Sequence, residues 1–181
     1  MKNIQISLTA KNYADALVKL GQDNVVSYDD ILNNLKIIQE ICSESKDLTD
    51  VLENPAISDE TKFSIIDEIF TKYVNKKIRD FLKVLIEKKR FKEFEGIVAA
   101  YQEDLDKINN IQRVEVVSAI ELDDNSKQKI IDKLQHRLQK NVIAQWQTDE
   151  EIIGGLVVKI NDDVIDSSLK NKLENLSKNI I

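Results

Sequence analysis

Apolar side chains recur every three or four positions through the first 110 residues, the spacing that places them on one face of an α-helix. The first stripe contains Tyr13, Leu17 and Leu20, and Gly21 fits the end of that helix. Six such segments follow one another, which predicts an antiparallel bundle of six helices. The predicted helices begin near Ile6, Ser27, Lys46, Ser58, Asn75 and Phe94.

The pattern changes near Asn109 and Asn110, where β-branched residues and partial alternation replace the helical spacing. The elements predicted after this point are strands over residues 112–119, 141–149 and 155–160, and a helix capped by Asp123 or Asp124. We therefore expect an α+β protein. Residues 1–109 would form the six-helix bundle, and residues 110–181 a small βαββα domain that folds separately.

The last predicted helix is expected to start at Asp166, which would serve as its N-cap. Before it, residues 161–166 gather several carboxylates. They lack the glycine and glutamate spacing of a calcium loop, so a polar hairpin turn is predicted there. The inward face of the last helix would carry Leu169, Leu173, Leu176 and Ile180.

Composition agrees with a folded, soluble chain, because 32% of its 181 residues are charged and 42% are hydrophobic. Only four glycines and one proline are present, which favours long regular elements over phosphate-binding loops. The longest apolar run, residues 152–158, is too short for a membrane helix. We therefore expect a protein that meets a membrane only indirectly.

The net charge of −6 disfavours binding to nucleic acid, because a phosphate backbone repels an acidic surface. One basic segment, residues 88–92, contains Lys88 and an aromatic residue. Glu87 and Glu93 flank it, and cations are favoured at the end of a helix in any case. The segment is therefore predicted to be a helix end, with no nucleic-acid partner.

Few side chains could support catalysis. The single histidine, His136, lies on a charged helix face, and the single cysteine, Cys42, continues an apolar stripe. One histidine and one cysteine cannot supply a zinc site or an internal disulfide. An acid–base enzyme using Asp149, Glu151 or Asp163 remains as an alternative hypothesis. Our main prediction has no catalytic residue, no metal site and no cofactor.

Gly154 and Gly155 form the only pair of adjacent glycines. Their surroundings lack the spacing of a dinucleotide-binding or P-loop motif. A turn or bulge that needs a positive φ angle is the prediction, so both glycines, together with Asp166, are expected to be structural.

The fifth predicted helix carries more apolar surface than one core face requires. Val84 lies about 60° beyond Phe81 around the helix, outside the main inward arc. Either this helix has a wide buried face, or it has a second apolar edge for a partner helix. Small residues on the first helix, Ala10 and Ala14, would let such a partner approach closely.

Five segments in order resemble the delta subunit of F-type ATP synthases, the bacterial relative of the mitochondrial oligomycin-sensitivity-conferring protein. The matching segments are YADAL at 13–17, LENPAIS at 52–58 with Lys62, FLKVLIEKKR at 81–90, VSAIEL at 117–122, and IGG at 153–155 with VIDSSL at 164–169. The sequence departs from the family pattern at Asn12, Lys88 and Ser167, where arginine, asparagine and glycine are usual.

The resemblance implies a non-catalytic stator subunit in the peripheral stalk, which holds the catalytic head against rotor torque during proton-driven ATP synthesis. Its N-terminal domain would bind the N-terminal helix of an alpha subunit. The expected contact residues are Ala10, Tyr13, Ala14, Phe81, Val84 and Lys88. Its C-terminal domain would bind the membrane-anchored b subunits.

The resemblance also implies where the protein works. It would be present as a single copy per complex, monomeric when isolated, and peripheral at the cytoplasmic face of the bacterial plasma (inner) membrane. The alternative is a stand-alone helical adaptor that binds peptides and is unrelated to the synthase.

Overall fold

The computed structural model describes residues 6–161, 163–169 and 171. The chain divides between Leu105 and Asp106 into two compact units. The helices of the first part of the chain are α1 (Leu8–Gln22), α2 (Tyr28–Glu44), α3 (Lys46–Glu53), α4 (Asp59–Phe70), α5 (Lys76–Glu87) and α6 (Phe94–Ile108), with a short 3-10 turn at Phe91–Glu93.

Serine side chains begin four of these helices. The hydroxyl oxygens of Ser27 and Ser58, near which the sequence predicted helix starts, accept hydrogen bonds from the backbone N–H groups three residues later. Ser7 and Ser45 cap α1 and α3 in the same way. Each cap satisfies a donor that the first turn would otherwise leave unpaired, so the helix boundaries are fixed locally.

A single apolar core joins the helices of the N-terminal unit. Its largest fully buried side chain is Tyr101, whose hydroxyl donates a hydrogen bond to the backbone oxygen of Tyr28 at 3.1 Å. Burial raises the pKa of Tyr101, so the phenol stays neutral. Other large side chains with no exposed surface are Leu17, Ile31, Leu35, Ile38, Ile66, Phe70, Ile78, Leu82, Leu85 and Ile97.

Within its described residues, the C-terminal unit contains a four-stranded sheet and one long helix. The elements are β1 (Ile111–Ser118), α7 (Asp124–Leu138), β2 (Asn141–Thr148), β3 (Leu156–Ile160) and β4 (Asp163–Asp166). The strand order is β2-β1-β3-β4. The β1–β2 pair is parallel, with α7 as the connection, and the two remaining pairs are antiparallel. The core contains Val114, Val116, Leu134, Val142 and Val158.

The α+β class is confirmed, but the predicted βαββα layout is incomplete because β4 was missed. Residues 163–166 were expected to be a turn and an N-cap, yet they pair with β3 in register. Ile165 lies opposite Val158 and packs on the core, so burial outweighs the acidic character of the segment. Asn161, at a φ of 53°, makes the tight turn that brings β4 back.

The last predicted helix cannot be followed, because Leu173, Leu176 and Ile180 lie outside the described residues. Leu169, the first residue of its expected inward face, is 48% exposed. In the part of the chain that the structure describes, every helix is too short or too polar to cross a bilayer.

Candidate functional site

One aromatic contact joins α1 and α5 at the edge of the N-terminal core. The rings of Tyr13 and Phe81 meet edge-to-face, with centroids 6.1 Å apart and planes at 76°. Both side chains are half-buried and pack against the core from outside. Val84, one turn further along α5, is 41% exposed. Apolar surface therefore continues from the core to solvent between these two helices.

The two helices run in opposite directions. Ser7, at the start of α1, donates its hydroxyl to a carboxylate oxygen of Glu93 at 2.6 Å, and Glu93 follows the end of α5. The Tyr13–Phe81 contact lies further into both helices. Residues later in α1 therefore lie beside residues earlier in α5, so the two helices are antiparallel.

Helical geometry then gives the residues that border the space between the two helices. On each helix we take the residues whose side chains lie within about 60° of Tyr13 or Phe81, measured around the helix axis and on the side away from the core. These residues form one stripe on α1 and one on α5. We call the surface between these stripes the α1–α5 groove. Its residues are Thr9, Tyr13, Ala16 and Leu20 on α1, and Lys77, Phe81, Val84 and Lys88 on α5.

The two alanines expected to line this surface are not accessible, and this part of the expectation is corrected. Ala10 and Ala14 have no exposed surface and belong to the core cluster. They lie about 60° and 100° from Tyr13 towards the core, on the same side as Leu17. The small side chain on the open side of Tyr13 is Ala16, which is exposed. Close approach of a partner would therefore use Ala16.

The face of α5 that points away from α1 is tied to α4 by charge. A carboxylate oxygen of Asp67 accepts from Arg79 Nη1 at 2.7 Å, and its other oxygen accepts from Lys83 Nζ at 2.6 Å. The hydrogen bond from Lys83 and the two positive charges lower the pKa of Asp67. The ammonium of Lys83 also lies 5.9 Å from the ring centre of Phe63. These contacts hold α5 with Phe81 turned towards α1.

Lys88 is the C-cap that follows α5, at the open side of the groove. Its side chain is 59% exposed, and its ammonium lies 3.1 Å from a carboxylate oxygen of Glu87, itself 58% exposed. An ion pair this exposed contributes little to stability. The Lys88 ammonium can therefore exchange its partner at little cost in free energy.

The glycine pair lies in a tight turn before β3. Gly155 has a φ of 88°, whereas Gly154 lies outside the positive range, so the expected positive φ is found at one of the two. A Cβ on Gly155 would be 2.5 Å from the backbone oxygen of Ser167. A Cβ on Gly154 would meet only the side chain of Leu169, at 3.0 Å. Ile153 has a φ of 64°, an unusual value for a β-branched residue.

Asp166 is the last residue of β4 and is not the N-cap that the sequence predicted. Its carboxylate accepts from the backbone N–H of Ser168 at 2.8 Å. Hydrogen bonding from the side chain and then from the backbone of Ser168 lowers the pKa of Asp166. The Ser168 hydroxyl oxygen instead accepts a hydrogen bond from the backbone N–H of Asn171, three residues later, at 3.1 Å. The cap therefore lies two residues after the expected one, because Asp166 is the last residue of β4.

The other candidate chemical groups are dispersed. Asp149 accepts from the backbone N–H of Glu151 at 2.9 Å in a short turn, so its carboxylate orders the backbone. Cys42 is half-buried, and burial raises the pKa of its thiol. His136 is exposed on α7. Among the described residues, no three metal-binding side chains lie close enough together to hold an ion.

Comparison with known proteins connects the chain to a family. The protein-family model for the ATP synthase delta (OSCP) subunit matches residues 9–180 of this chain. The chain belongs to this family. It is 34% identical to ATP synthase subunit delta of Clostridioides difficile (strain 630) over 176 residues, 97% of each chain. It is also 34% identical to that of Lachnoclostridium phytofermentans, over 96% of this chain and 95% of the relative.

The family is a component of the ATP synthase peripheral stalk, and it is structural rather than catalytic. This confirms the resemblance seen in the sequence and gives no support to the stand-alone adaptor. A chain in the mitochondrial ATP synthase hexamer of Toxoplasma gondii has a TM-score of 0.67 at 16% identity, covering 96% of this chain and 97% of that one. At that identity the likeness concerns the fold alone.

The contact residues predicted from the sequence do not include Thr9, Ala16, Leu20 and Lys77, which helical geometry places on the α1–α5 groove. The signal was present in the helical spacing of α1, because Tyr13 lies at the edge of the inward stripe and not at its centre. Taking Tyr13 as an edge residue would have pointed to Ala16 on the outer side.

Proposed function

We propose that this subunit links the catalytic head of an F-type ATP synthase to the stalk by holding the N-terminal helix of the alpha subunit in the α1–α5 groove. The observation that carries the proposal is the apolar stripe formed by Tyr13, Phe81 and Val84. It is continuous with a packed core and reaches solvent. An amphipathic helix placed there would bury its apolar face and extend the packing of the unit.

We further propose that the C-terminal unit binds the b subunits of the stalk. The subunit would then be present once per complex and lie at the cytoplasmic face of a bacterial plasma membrane, attached through the b subunits. The relatives from Clostridioides difficile and Lachnoclostridium phytofermentans, which match almost the whole chain, support this proposal. A role as a mechanical link needs stiff elements and stable interfaces rather than a reactive side chain.

Substitution of Val84 by aspartate tests the groove. The full chain would be titrated with a peptide that carries the N-terminal segment of the alpha subunit from the same organism. Val84→Asp places an unpaired charge in the contact, so we expect binding to weaken by at least about 2 kcal/mol, roughly 30-fold. Ala16→Asp tests the α1 wall in the same way, because Ala16 is exposed in the free chain.

A matched control separates this effect from added charge. Val164→Asp makes the same substitution at a residue that is 59% exposed on β4, in the other unit, and should leave the affinity unchanged. The helical circular dichroism of all variants should match that of the parent chain. Unchanged affinity in folded Val84→Asp and Ala16→Asp would show that the groove is not the contact.

A further inference from the structure

Lysines stand at both ends of the apolar stripe on α5. The stripe runs Lys77, Phe81, Val84, Lys88, and helical geometry places all four within about 60° of one another. The two lysines are about 16 Å apart along the helix axis, or three turns. The apolar contact surface of α5 in the α1–α5 groove is therefore closed by a positive charge at each end.

Both ammonium groups are available to a partner. Lys77 is exposed, and it forms no ion pair with any described residue. Among the described residues, the Lys88 ammonium pairs with Glu87, and both members of this pair are more than half exposed. In contrast, Lys83 on the opposite face of α5 is committed to Asp67. Lys77 and Lys88 are therefore free to pair with a partner, whereas Lys83 is already used to hold α5 against α4.

Acidic side chains lie just outside this stripe. Asp80 and Glu87 are exposed and lie about 40–60° beyond Val84, on the side of α5 away from α1. A carboxylate of a bound helix would be repelled there and attracted at Lys77 or Lys88. The pattern therefore favours carboxylates at the two ends of the partner's apolar face and disfavours them along its outer side.

We infer that the α1–α5 groove selects a helix whose apolar face is bounded by two carboxylates about three turns apart, one for Lys77 and one for Lys88. This inference rests on the proposed function and adds the register of the bound helix to it. Apolar burial is non-directional, so a helix bound only by its apolar face could slide by one turn. Two charge contacts at fixed separation define a single register.

The test uses the full chain and the alpha N-terminal peptide. Replacing both Lys77 and Lys88 by Gln should weaken binding about three- to tenfold, since each exposed charge pair contributes modestly. Replacing both by Arg keeps the charges and should leave the affinity within about twofold. The matched control is Lys133→Gln, an exposed lysine on α7 in the other unit, which should bind as the parent does.

Two further measurements separate a loss of charge contacts from a change in packing: the dependence of affinity on salt concentration, and the effect of reversing a charge. Affinity of the parent chain should fall as salt is raised, whereas the double Gln variant should respond much less. Lys88→Glu should weaken binding further, and a peptide in which one terminal acidic residue is replaced by lysine should restore it. Restoration by one specific position also identifies the register.

The possible failures are distinguishable. If Val84→Asp abolishes binding but the double Gln variant binds as tightly as the parent with the same salt dependence, the groove is the contact and the charge selection is wrong. If the parent chain does not bind the alpha peptide at all, the proposed function fails and this inference fails with it.

Discussion

Replacement of Gly155 by alanine should destabilise the C-terminal unit selectively. At a φ of 88°, this residue has a backbone conformation that side chains other than glycine rarely adopt. An added Cβ would lie 2.5 Å from the Ser167 oxygen and 3.0 Å from the Ser168 Cα. Both neighbours are backbone atoms, so no side-chain rotation can relieve the contact.

The magnitude follows from two contributions. Positive φ in a residue with a Cβ costs about 1–2 kcal/mol. Moving residues 167–168 away strains two backbone hydrogen bonds, from Ser167 N–H to Leu156 O at 2.9 Å and from Leu169 N–H to Gly154 O at 2.8 Å. The loss of one such bond costs about 1 kcal/mol. We therefore expect a loss of about 2–3 kcal/mol for Gly155→Ala, and more for Gly155→Val.

The chain provides a separate probe for each unit. Its single tryptophan, Trp146, lies on β2 and packs at the edge of the C-terminal core, so its fluorescence reports that unit. Circular dichroism at the helical band is dominated by α1 to α6. In urea, a loss of about 2 kcal/mol should move the fluorescence midpoint down by about 2 M for a unit of this size. The helical transition should stay in place.

Gly154→Ala is the matched control. Its Cβ would touch only the flexible end of the Leu169 side chain, which can rotate away, so a loss below about 1 kcal/mol is expected. Equal effects at the two glycines would contradict the reasoning from φ and backbone contact. Fluorescence midpoints of Gly155→Ala and Gly155→Val that match the parent would refute it.

Two further predictions concern the N-terminal unit. Lys83 lowers the pKa of Asp67, so the stabilisation from this carboxylate is present above about pH 4 and is lost as pH falls through the folded-state value. Asp67→Asn, measured by urea titration, should cost less than about 1 kcal/mol at pH 7 because the site is partly exposed, and the cost should shrink as pH falls through the folded-state pKa of Asp67. A fragment of residues 1–109 should melt cooperatively by circular dichroism, and an aggregated or molten fragment would contradict separate folding.

Elements with a local chemical signal could be predicted from the sequence. The caps at Ser27 and Ser58 form where the first turn needs an acceptor, and α3 ends at Glu53, just before Asn54 and Pro55, because proline disfavours helical backbone in the residue before it. In each case the cause lies within a few residues of the effect. Tertiary contacts were not needed to identify them.

The missed features depend on contacts between distant parts of the chain. β4 is acidic at both ends, and only its pairing with β3 and the burial of Ile165 make it a strand. The capping role of Ser168 follows from where β4 ends. Both are cases in which tertiary burial overrides a local preference for a turn or a cap.

The position of the alanines on α1 was ambiguous for a different reason. A small residue on a helix favours close packing, but the sequence cannot tell whether the close neighbour belongs to the same chain or to a partner. Ala10 and Ala14 are used within the chain, against the core, while Ala16 is left open. The Tyr13–Phe81 contact resolves the ambiguity because it fixes which side of α1 faces α5.

The same arrangement would let the proposed partner groove coexist with a packed core in the free protein. Tyr13 and Phe81 are already half-buried by each other, so the free protein exposes little additional apolar surface there. Val84 is the main exposed apolar group on the α5 stripe, and the flanking Lys77 and Lys88 keep that stripe hydrated. Binding of a helix would remove Val84 from water and complete the contacts of both rings, while the core below them is already packed. The apolar part of the affinity should therefore be concentrated near Val84, and substitutions there should affect binding far more than folding.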